Sequence, residues 1–348
     1  MSTNLSRLEI IQAGPQRPEW DDFVSRDPVG TLCHLAAWQG VMKDVLGHQP
    51  LYLAAVDQAG SWRGVLPLVR VRTIVGHGLI SLPFLNDGGP LGDEHAQAAL
   101  VEHAVAEARG SGATSVELRS RVEVPGPVTP MNRKVTVLLE LPSSVDELWK
   151  TTFRAKLRSQ IRRPQKEGMT ARTGSAEVGP FYSVFARNMR DLGTPVLPKA
   201  FFERLASDFV DHVVFCCVYT EGGEPAAAGC CLVWKNEMEI TWASSLREMN
   251  RLSPNMLLYS HLMEAAIARG VATFNFGRCT PGSPTHRFKG QWGGVDVPLP
   301  WPTWSKDKSA VAVPAAERPL FQLASRMWQR LPMAVANRLG PPLARLLP

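Results

Sequence analysis

The segment "HVVFCCVYTEGGEPAAAGCCLVWKNEMEITWASS" (212–245) determines the fold class of this 348-residue chain. It contains three apolar runs of strand length, separated by the short polar connections "EGGE" and "NE". Runs and connections of this kind are typical of consecutive antiparallel strands joined by tight hairpins. The sequence therefore predicts a three-stranded meander at the centre of the second half of the chain.

The elements around this meander repeat an order already present in the first half. Helical patterns precede it at about 144–163, 177–191 and 198–208, and a further one follows at about 254–269, before the strand-like run "ATFNFG". The first half shows two short helical patterns, three strand-like runs, a helix at about 93–109 and the strands "TSVELRS" and "KVTVLLEL". The repeated order indicates a duplicated α/β architecture.

This order is similar to that of the GNAT acyltransferase fold, so we predict an α/β fold with mixed sheets and tandem GNAT-like domains. The N-terminal domain is expected over 1–145, completed by a strand near 296–304, and the C-terminal domain with the active-site cleft over 146–295. Ser144 and Glu147 have the spacing of a capping box at the start of the second domain. A linker and a basic amphipathic tail are expected over 305–348.

Composition excludes several classes of protein. Hydrophobic residues make up 45% of the chain and charged residues 20%, which permits a large core and argues against global disorder. The N-terminus carries no apolar signal region, and we expect a cytoplasmic protein. The six cysteines include two adjacent pairs within apolar runs and no C-x-x-C spacing, so we expect buried free thiols and no metal site.

The basic residues are concentrated in "TTFRAKLRSQIRRPQKEGMTART" (151–173), although the net charge of the chain is only +6. Arg154, Arg158 and Arg162 form an i, i+4 stripe, and like charges at this spacing repel. Three interpretations are open: a solvated helix face, contact with phosphates or a tRNA backbone, or a surface facing a membrane. Pro164 is expected to end the helix after Arg163. Because aromatic residues are not interleaved, base stacking is not favoured, and no DNA contact is predicted.

The C-terminal stretch 316–348 is a second basic segment, with Glu317 as its only acid. Its apolar residues fall roughly on one helical face: Leu320, Leu323, Met327, Leu331 and Val335. Two interpretations are open, a helix docked on its own protein and a helix lying at an anionic membrane surface.

Five blocks together resemble the Fem-type branch of the GNAT superfamily, and within it the FemAB-like proteins associated with exosortase (PEP-CTERM) and exopolysaccharide loci. The blocks are "LRSQIRRPQKEG", "ARNMRDLGTPVLP", "TWASSLREMN", "SPNMLLYSHLMEAA" and "FNFGRCTPGSPTHRFKGQWGG". The resemblance implies an active site in the cleft between two GNAT units. It also implies transfer of an acyl or aminoacyl group to an amine on a cell-envelope precursor.

The resemblance also implies site residues. A Phe-Lys pair beside the reacting carbonyl corresponds to Phe288 and Lys289, and phosphate-binding residues correspond to Arg158, Arg162 and Arg163. The branch usually has an acid and a serine where this chain has Asn275 and Cys279. Further candidates for substrate binding are Asn188, Arg190, Asp191, Trp242, Arg247, Arg278, His286, Arg287, Gln291 and Trp292.

The chemistry of acyl transfer assigns a role to Lys289. Aminolysis of an ester or thioester forms a tetrahedral oxyanion, which a fixed cation stabilises by several kcal/mol. His286 is a candidate proton acceptor, as are water and the substrate itself. Cys279 is a weak candidate for a nucleophile, since the sequence shows no neighbouring base.

The acyl donor is expected to be a co-substrate, either aminoacyl-tRNA or an acyl thioester, and no tightly bound cofactor is expected. The stretch 245–256, where a CoA-dependent GNAT protein carries its glycine-rich pyrophosphate loop, has no glycine, which argues against ordinary CoA binding. Three hypotheses follow: an acyltransferase or aminoacyltransferase acting on an anionic or lipid-linked precursor, a CoA-dependent N-acyltransferase of a small amine, and a non-catalytic assembly protein at the membrane face.

Overall fold

The computed structural model describes residues 8–14, 18–73, 76–307 and 319–347, without the side chains of 73 and 319–321. The chain divides into two compact units. Unit 1 comprises Met1–Arg133, Pro298–Arg318 and Pro342–Pro348, and unit 2 comprises Lys134–Val297 and Pro319–Pro341. The predicted linker 305–315 lies mostly outside the described residues.

Unit 1 is built on a mixed sheet with the strand order β1-β2-β3-β4-β6-β14 and β5 paired to β3. Its strands are β1 (Glu9–Gln12), β2 (Gln49–Val56), β3 (Trp62–Thr73), β4 (Gly76–Ile80), β5 (Leu91–Gly92), β6 (Ser115–Glu117) and β14 (Thr303–Ser305). Its helices are α1 (Pro18–Arg26), α2 (Trp38–Gly40), which continues as a π-helical turn over Val41–Val45, and α3 (Glu94–Ser111). The second short helical pattern of the first half, "HLAAWQGVMKDVLG" (34–47), is thus helical from Trp38 to Val45.

Unit 2 has a mixed sheet in the order β13-β7-β12-β11-β10-β9-β8. Its strands are β7 (Lys134–Glu140), β8 (Thr170–Thr173), β9 (Val213–Tyr219), β10 (Pro225–Trp234), β11 (Glu237–Ser245), β12 (Thr273–Cys279) and β13 (Val295–Leu299). Its helices are α4 (Val145–Glu147), α5 (Ala155–Lys166), α6 (Val178–Leu192), α7 (Lys199–Asp208), α8 (Pro254–Ala268), α9 (Pro284–Gly290), α10 (Pro319–Trp328) and α11 (Met333–Ala344), the last ending beyond Pro341. The predicted meander corresponds to β9, β10 and β11.

Alternation along β9 explains how the unit 2 sheet is covered on both faces. Val214 and Cys216 belong to the core that includes Leu157 of α5 and Leu258 of α8. Phe215, on the opposite face, stacks edge-on against Phe181 of α6. All six cysteines are buried and free, which confirms the prediction from their apolar context.

Helix α3 shows how local signals set the boundaries of an element in unit 1. The Asp93 side chain accepts a hydrogen bond from the Ala96 amide at 2.9 Å, as an N-cap residue does. Gly112 ends the helix in the left-handed region with φ of 76°, where a side chain is disfavoured. The buried face of the helix, including Leu100 and Val101, packs on the unit 1 sheet.

The long helix predicted at about 144–163 is interrupted. After α4 and a π-helical turn over Leu148–Thr152, Phe153 is extended and Arg154 is the N-cap of α5. The buried Phe153 ring packs against Trp149 and Trp292, contacts that favour the break. The expectation that Pro164 ends this helix was wrong, because α5 continues through Pro164 to Lys166.

For two strands, pairing with residues distant in sequence determines which sheet they belong to. β7, which the sequence analysis grouped with the first half, pairs with β12 in the unit 2 sheet. β14 pairs with β6 in the unit 1 sheet. No helix in the described part of the chain is long and apolar enough to cross a membrane.

Candidate active site

The parallel strands β11 and β12 of unit 2 are paired over only part of their length and then separate. Their pairing covers Glu237 to Glu239 on β11 and Thr273 to Asn275 on β12, whereas β11 continues to Ser245. Beyond Asn275 the register of β12 with β7 also shifts. Gly277 follows with φ of +70°, and a Cβ built there would lie 2.7 Å from the Ile240 carbonyl oxygen. The separation of β11 and β12 therefore depends on a glycine at position 277.

The buried side chain of Asn275 completes the hydrogen bonding where the strands part. Its Oδ1 accepts from the Gly277 amide at 2.8 Å and from the Thr136 hydroxyl, and its Nδ2 donates to Glu237 Oε1 at 2.8 Å. A carboxylate could not make the last of these bonds, because it has no donor. The asparagine at a position where the resemblance implies an acid therefore has a structural explanation.

Lys289 lies on α9 and reaches the backbone of β12. Its ammonium donates to the carbonyl oxygens of Gly277 at 2.7 Å and Arg278 at 2.9 Å, and the residue is 4% exposed. Desolvation by burial lowers the pKa of Lys289 to about 8, and Cys279 and Glu239 oppose this shift. An ammonium has three donors, and these two carbonyls engage two of them.

Glu239 is a residue that the sequence analysis did not single out. It lies on β11 between the buried Met238 and Ile240 and is itself buried. Its negative charge opposes the desolvation that lowers the pKa of Lys289. An acidic residue between buried apolar neighbours in a central strand is rare without a partner, and this pattern was the available signal.

Cys279 and His286 do not have the environment of a nucleophile or a base. Burial raises the pKa of the Cys279 thiol, although Lys289 opposes the shift, so the thiolate is disfavoured. His286 accepts from the Gly282 amide at its Nδ1 and donates from Nε2 to Asp296 at 2.7 Å. Both ring nitrogens are thus engaged, and the histidine stabilises the loop before α9.

Phe288 and Trp292 anchor α9 to the core of unit 2. The Phe288 ring packs edge-on against Tyr259 with centroids 5.1 Å apart, and Trp292 stacks on Tyr259 at 5.9 Å. Gln291 contacts the Met256 sulfur at 3.7 Å, and Arg287 donates to the Gly282 carbonyl. These contacts fix the helix that carries Lys289, while Arg278 contributes its backbone carbonyl.

A second group of predicted residues lies at the end of α6 and is largely satisfied within the protein. Arg190 and Asp191 form an ion pair at 2.7 Å, and Arg190 also donates to the Leu331 carbonyl. Arg247 donates to the Asp191 carbonyl, and Asn188 donates to Ser244 at 3.1 Å. These bonds join the end of α6 to the end of β11.

Trp242 on β11 is a core residue of unit 2. It packs edge-on against Phe201 and Phe202 of α7 with centroids 5.6 and 5.4 Å apart. Its burial at 9% exposure favours packing over ligand stacking.

The basic residues of α5 have separate environments. Arg158 donates to the carbonyl oxygens of Trp149 and Phe153, so its guanidinium closes the interrupted helix. Arg162 lies over the Trp149 ring at 5.8 Å, and Arg163 is exposed. Arg162 and Arg163 are therefore exposed, whereas Arg158 is half-buried.

The segment expected to hold a pyrophosphate in CoA-dependent relatives forms a 3₁₀ helix over Arg247–Leu252. Ser253 then adopts a left-handed conformation with φ of 59°, and Pro254 begins α8. Proline has no amide hydrogen, so the first position of α8 offers no backbone donor to a phosphate.

The comparisons with known proteins agree with this architecture. Residues 151–290 match the family described as "Acetyltransferase (GNAT) domain". The fold is similar to the crystal structure of FemX, at 15% identity over 91% of this chain and 100% of that chain, with a TM-score of 0.62. It is also similar to L-PGS from Bacillus licheniformis, at 13% identity over 92% and 99% of the two chains, with a TM-score of 0.54.

A tandem GNAT protein from the clavulanic acid biosynthesis pathway shares the fold at 12% identity over 86% of this chain and 97% of that chain, with a TM-score of 0.51. None of the curated proteins matches the chain. The chain has a tandem GNAT-like α/β fold with two mixed sheets, as predicted.

Proposed function

We propose that this protein is an acyltransferase that moves an acyl or aminoacyl group onto an amine of a cell-envelope or exopolysaccharide precursor. The observation that carries the proposal is the buried Lys289 ammonium at the point where β11 and β12 part. A lysine removed from water with an ammonium donor to spare is expensive to maintain for stability alone. The GNAT domain match over 151–290 supports the same class of reaction.

Lys289 stabilises the transition state in this mechanism. The acceptor amine attacks the carbonyl carbon of the donor, a C–N bond forms, and the C–O or C–S bond to the carrier breaks. The spare N–H of Lys289 donates to the oxyanion that forms between these events. The amine proton passes to water or to the departing alkoxide or thiolate, so no histidine or cysteine of the chain is required.

The donor is proposed to be an aminoacyl-tRNA or another activated acyl carrier. The glycine-free segment 245–256, with Pro254 at the start of α8, disfavours close approach of a CoA pyrophosphate. The exposed Arg162 and Arg163 on α5 are available for phosphates of a donor or an anionic acceptor. Calorimetry with acetyl-CoA tests this assignment. A micromolar dissociation constant would contradict it and favour a CoA thioester as the donor.

A CoA-dependent N-acyltransferase of a small amine is the second candidate. The description of the matching domain as an acetyltransferase favours it. Incubating the purified protein with labelled acetyl-CoA, and separately with labelled aminoacyl-tRNA, over a panel of amino sugars and nucleotide-linked amines distinguishes the two donors. Label transfer from only one of them identifies the donor class.

Lys289→Met separates both catalytic candidates from a non-catalytic assembly protein. We expect transfer to fall by roughly 100- to 1,000-fold, the loss typical of removing one oxyanion donor. Lys199→Met is the matched control, since Lys199 is exposed and pairs only with Glu203 on the same helix. Full envelope-polymer assembly by a strain carrying Lys289→Met would refute the catalytic role.

We place the reaction in the cytoplasm, and a lipid-linked acceptor would bring the enzyme to the inner face of the plasma membrane. The sequence blocks around Lys289 favour the exosortase-associated branch as its setting. The neighbouring genes test this assignment, because a cluster without polysaccharide or exosortase functions would contradict it.

A further inference from the structure

The two C-terminal helices dock on unit 2 through small residues. Ser325 of α10 lies so close to Gly193 that a Cβ built on the glycine would clash with the Ser325 hydroxyl. Gly340 of α11 approaches Val196 in the same way, with a built Cβ 2.8 Å from a Val196 methyl group. Ala336, one turn before Gly340, is also buried. Small residues therefore make the closest approaches between these helices and the rest of unit 2.

Five large apolar residues of the same helices face solvent, whereas Trp328 and Met333 are half-buried. Leu323 and Met327, four residues apart on α10, are 56% and 65% exposed. Val335, Leu339 and Leu343 repeat the four-residue spacing along α11 and are exposed as well. A surface helix of a water-soluble domain normally buries its large apolar side chains and exposes polar ones. Here five large apolar side chains point outward instead, and they form two apolar stripes.

The charge of this segment is uniformly positive. Residues 319–347 contain four arginines and no aspartate or glutamate. Arg326, Arg330 and Arg338 are exposed, whereas Arg345 donates to the Val45 carbonyl. Apolar stripes flanked by arginines complement a surface that has both acyl chains and negative headgroups.

We propose that the outward stripes of α10 and α11 bind the surface of an anionic lipid bilayer. The helices lie in the plane of the interface with Leu323, Met327, Val335, Leu339 and Leu343 below the headgroups and the arginines at the phosphates. A second copy of the chain is a poorer occupant, because it would bring two basic stripes together. Leu320 belongs to the predicted stripe, but its side chain lies outside the described residues.

This inference does not depend on the acyl-transfer mechanism, and its test uses no substrate. The full-length protein is mixed with vesicles of phosphatidylcholine and phosphatidylglycerol in equal parts, and with vesicles of phosphatidylcholine alone, and flotation measures the bound fraction. We expect binding to the mixed vesicles, weaker binding without phosphatidylglycerol, and loss of binding as salt rises from about 0.1 M to about 1 M, as electrostatic screening requires.

Two matched variants identify the surface. Leu323→Gln with Met327→Gln is expected to weaken binding at least about tenfold, since two partly buried apolar side chains are removed from the interface. Val210→Gln is the control, because Val210 is 69% exposed and lies elsewhere on unit 2. Both changes replace solvent-facing side chains, and unchanged thermal unfolding confirms that each variant is folded.

Three results would overturn the proposal. The first is no binding to the mixed vesicles, and the second is equal binding by the wild type and the Leu323→Gln, Met327→Gln variant. The third is a dimer of the wild type in light scattering that disappears in this variant while vesicle binding is unchanged, which would assign the stripes to a second copy.

Discussion

The Lys289 ammonium donates to the Gly277 carbonyl oxygen at 2.7 Å, and this bond joins a short helix to a strand at the point where its parallel neighbour departs. Such a carbonyl would pair with the neighbouring strand in a regular ladder. Because β11 and β12 separate here, the Gly277 carbonyl accepts from Lys289 instead. The relationship links the sheet irregularity to the chemistry of the candidate site.

The pH dependence of transfer is the first prediction. Burial lowers the pKa of Lys289 to about 8, so the ammonium is present below this pH and is lost as pH rises through it. We expect the rate of the acyl-transfer step to fall above about pH 8. Single-turnover rates across pH measure this limb. Lys289→Arg, which keeps its charge, should show no such fall, and a shared fall would contradict the assignment.

Glu239 is predicted to set the pH at which this fall begins. Its carboxylate raises the pKa of Lys289, so removing the charge lowers that pKa further. In Glu239→Gln the falling limb should therefore start at a lower pH than in the wild type. Glu248→Gln provides a control, because Glu248 is exposed and pairs with Arg187. An unchanged profile in Glu239→Gln would show that the two groups do not interact.

Gly277 is predicted to be intolerant of a side chain. Alanine would have to adopt φ of +70° and place its Cβ 2.7 Å from the Ile240 carbonyl oxygen. We expect Gly277→Ala to lower the free energy of unfolding by more than about 2 kcal/mol in urea titrations. Gly282→Ala has a similar φ of +75° with open space around it, so its loss should be about 1 kcal/mol. Equal losses in the two variants would exclude the steric contribution.

Asn275→Asp should destabilise unit 2 in a pH-dependent way. The change removes the donor to Glu237 and places a second carboxylate beside it, so we expect a loss of about 2–4 kcal/mol near neutral pH. The introduced carboxyl has a raised pKa in the folded state, and stability should therefore recover as pH falls and the group takes up a proton. Asn236→Asp, on the exposed turn before β11, is the control. A loss independent of pH would contradict the charge argument.

Local patterns in the sequence predict most elements of both units. The meander β9–β11, helix α8 and strand β12 follow from apolar periodicity and short polar connections, and the buried cysteines follow from their apolar runs. The prediction fails where long-range packing overrides local preference. Phe153 interrupts a helix that the pattern favours, because its ring lies between Trp149 and Trp292, and Trp292 is distant in sequence.

The roles of the candidate residues depend more strongly on the tertiary structure than the positions of the helices and strands do. Arg158 has the spacing of a phosphate-binding residue, yet its guanidinium is directed to the carbonyls of Trp149 and Phe153. His286 has the side chain of a base, yet both its nitrogens are bonded. Sequence spacing places a side chain on a face of an element, but it does not state which acceptors that face meets.

Local periodicity and motif blocks are enough to predict the order of most helices and strands, the duplicated α/β architecture and Lys289 as the leading candidate. They do not predict that Lys289 is buried against the carbonyls of β12 with Glu239 nearby, or that large apolar side chains of the C-terminal helices face outward. Both depend on contacts between segments far apart in the chain. The sequence around Lys289 does not show that the Gly277 carbonyl lacks a strand partner, and the sequence around Ser325 does not show that it packs against Gly193.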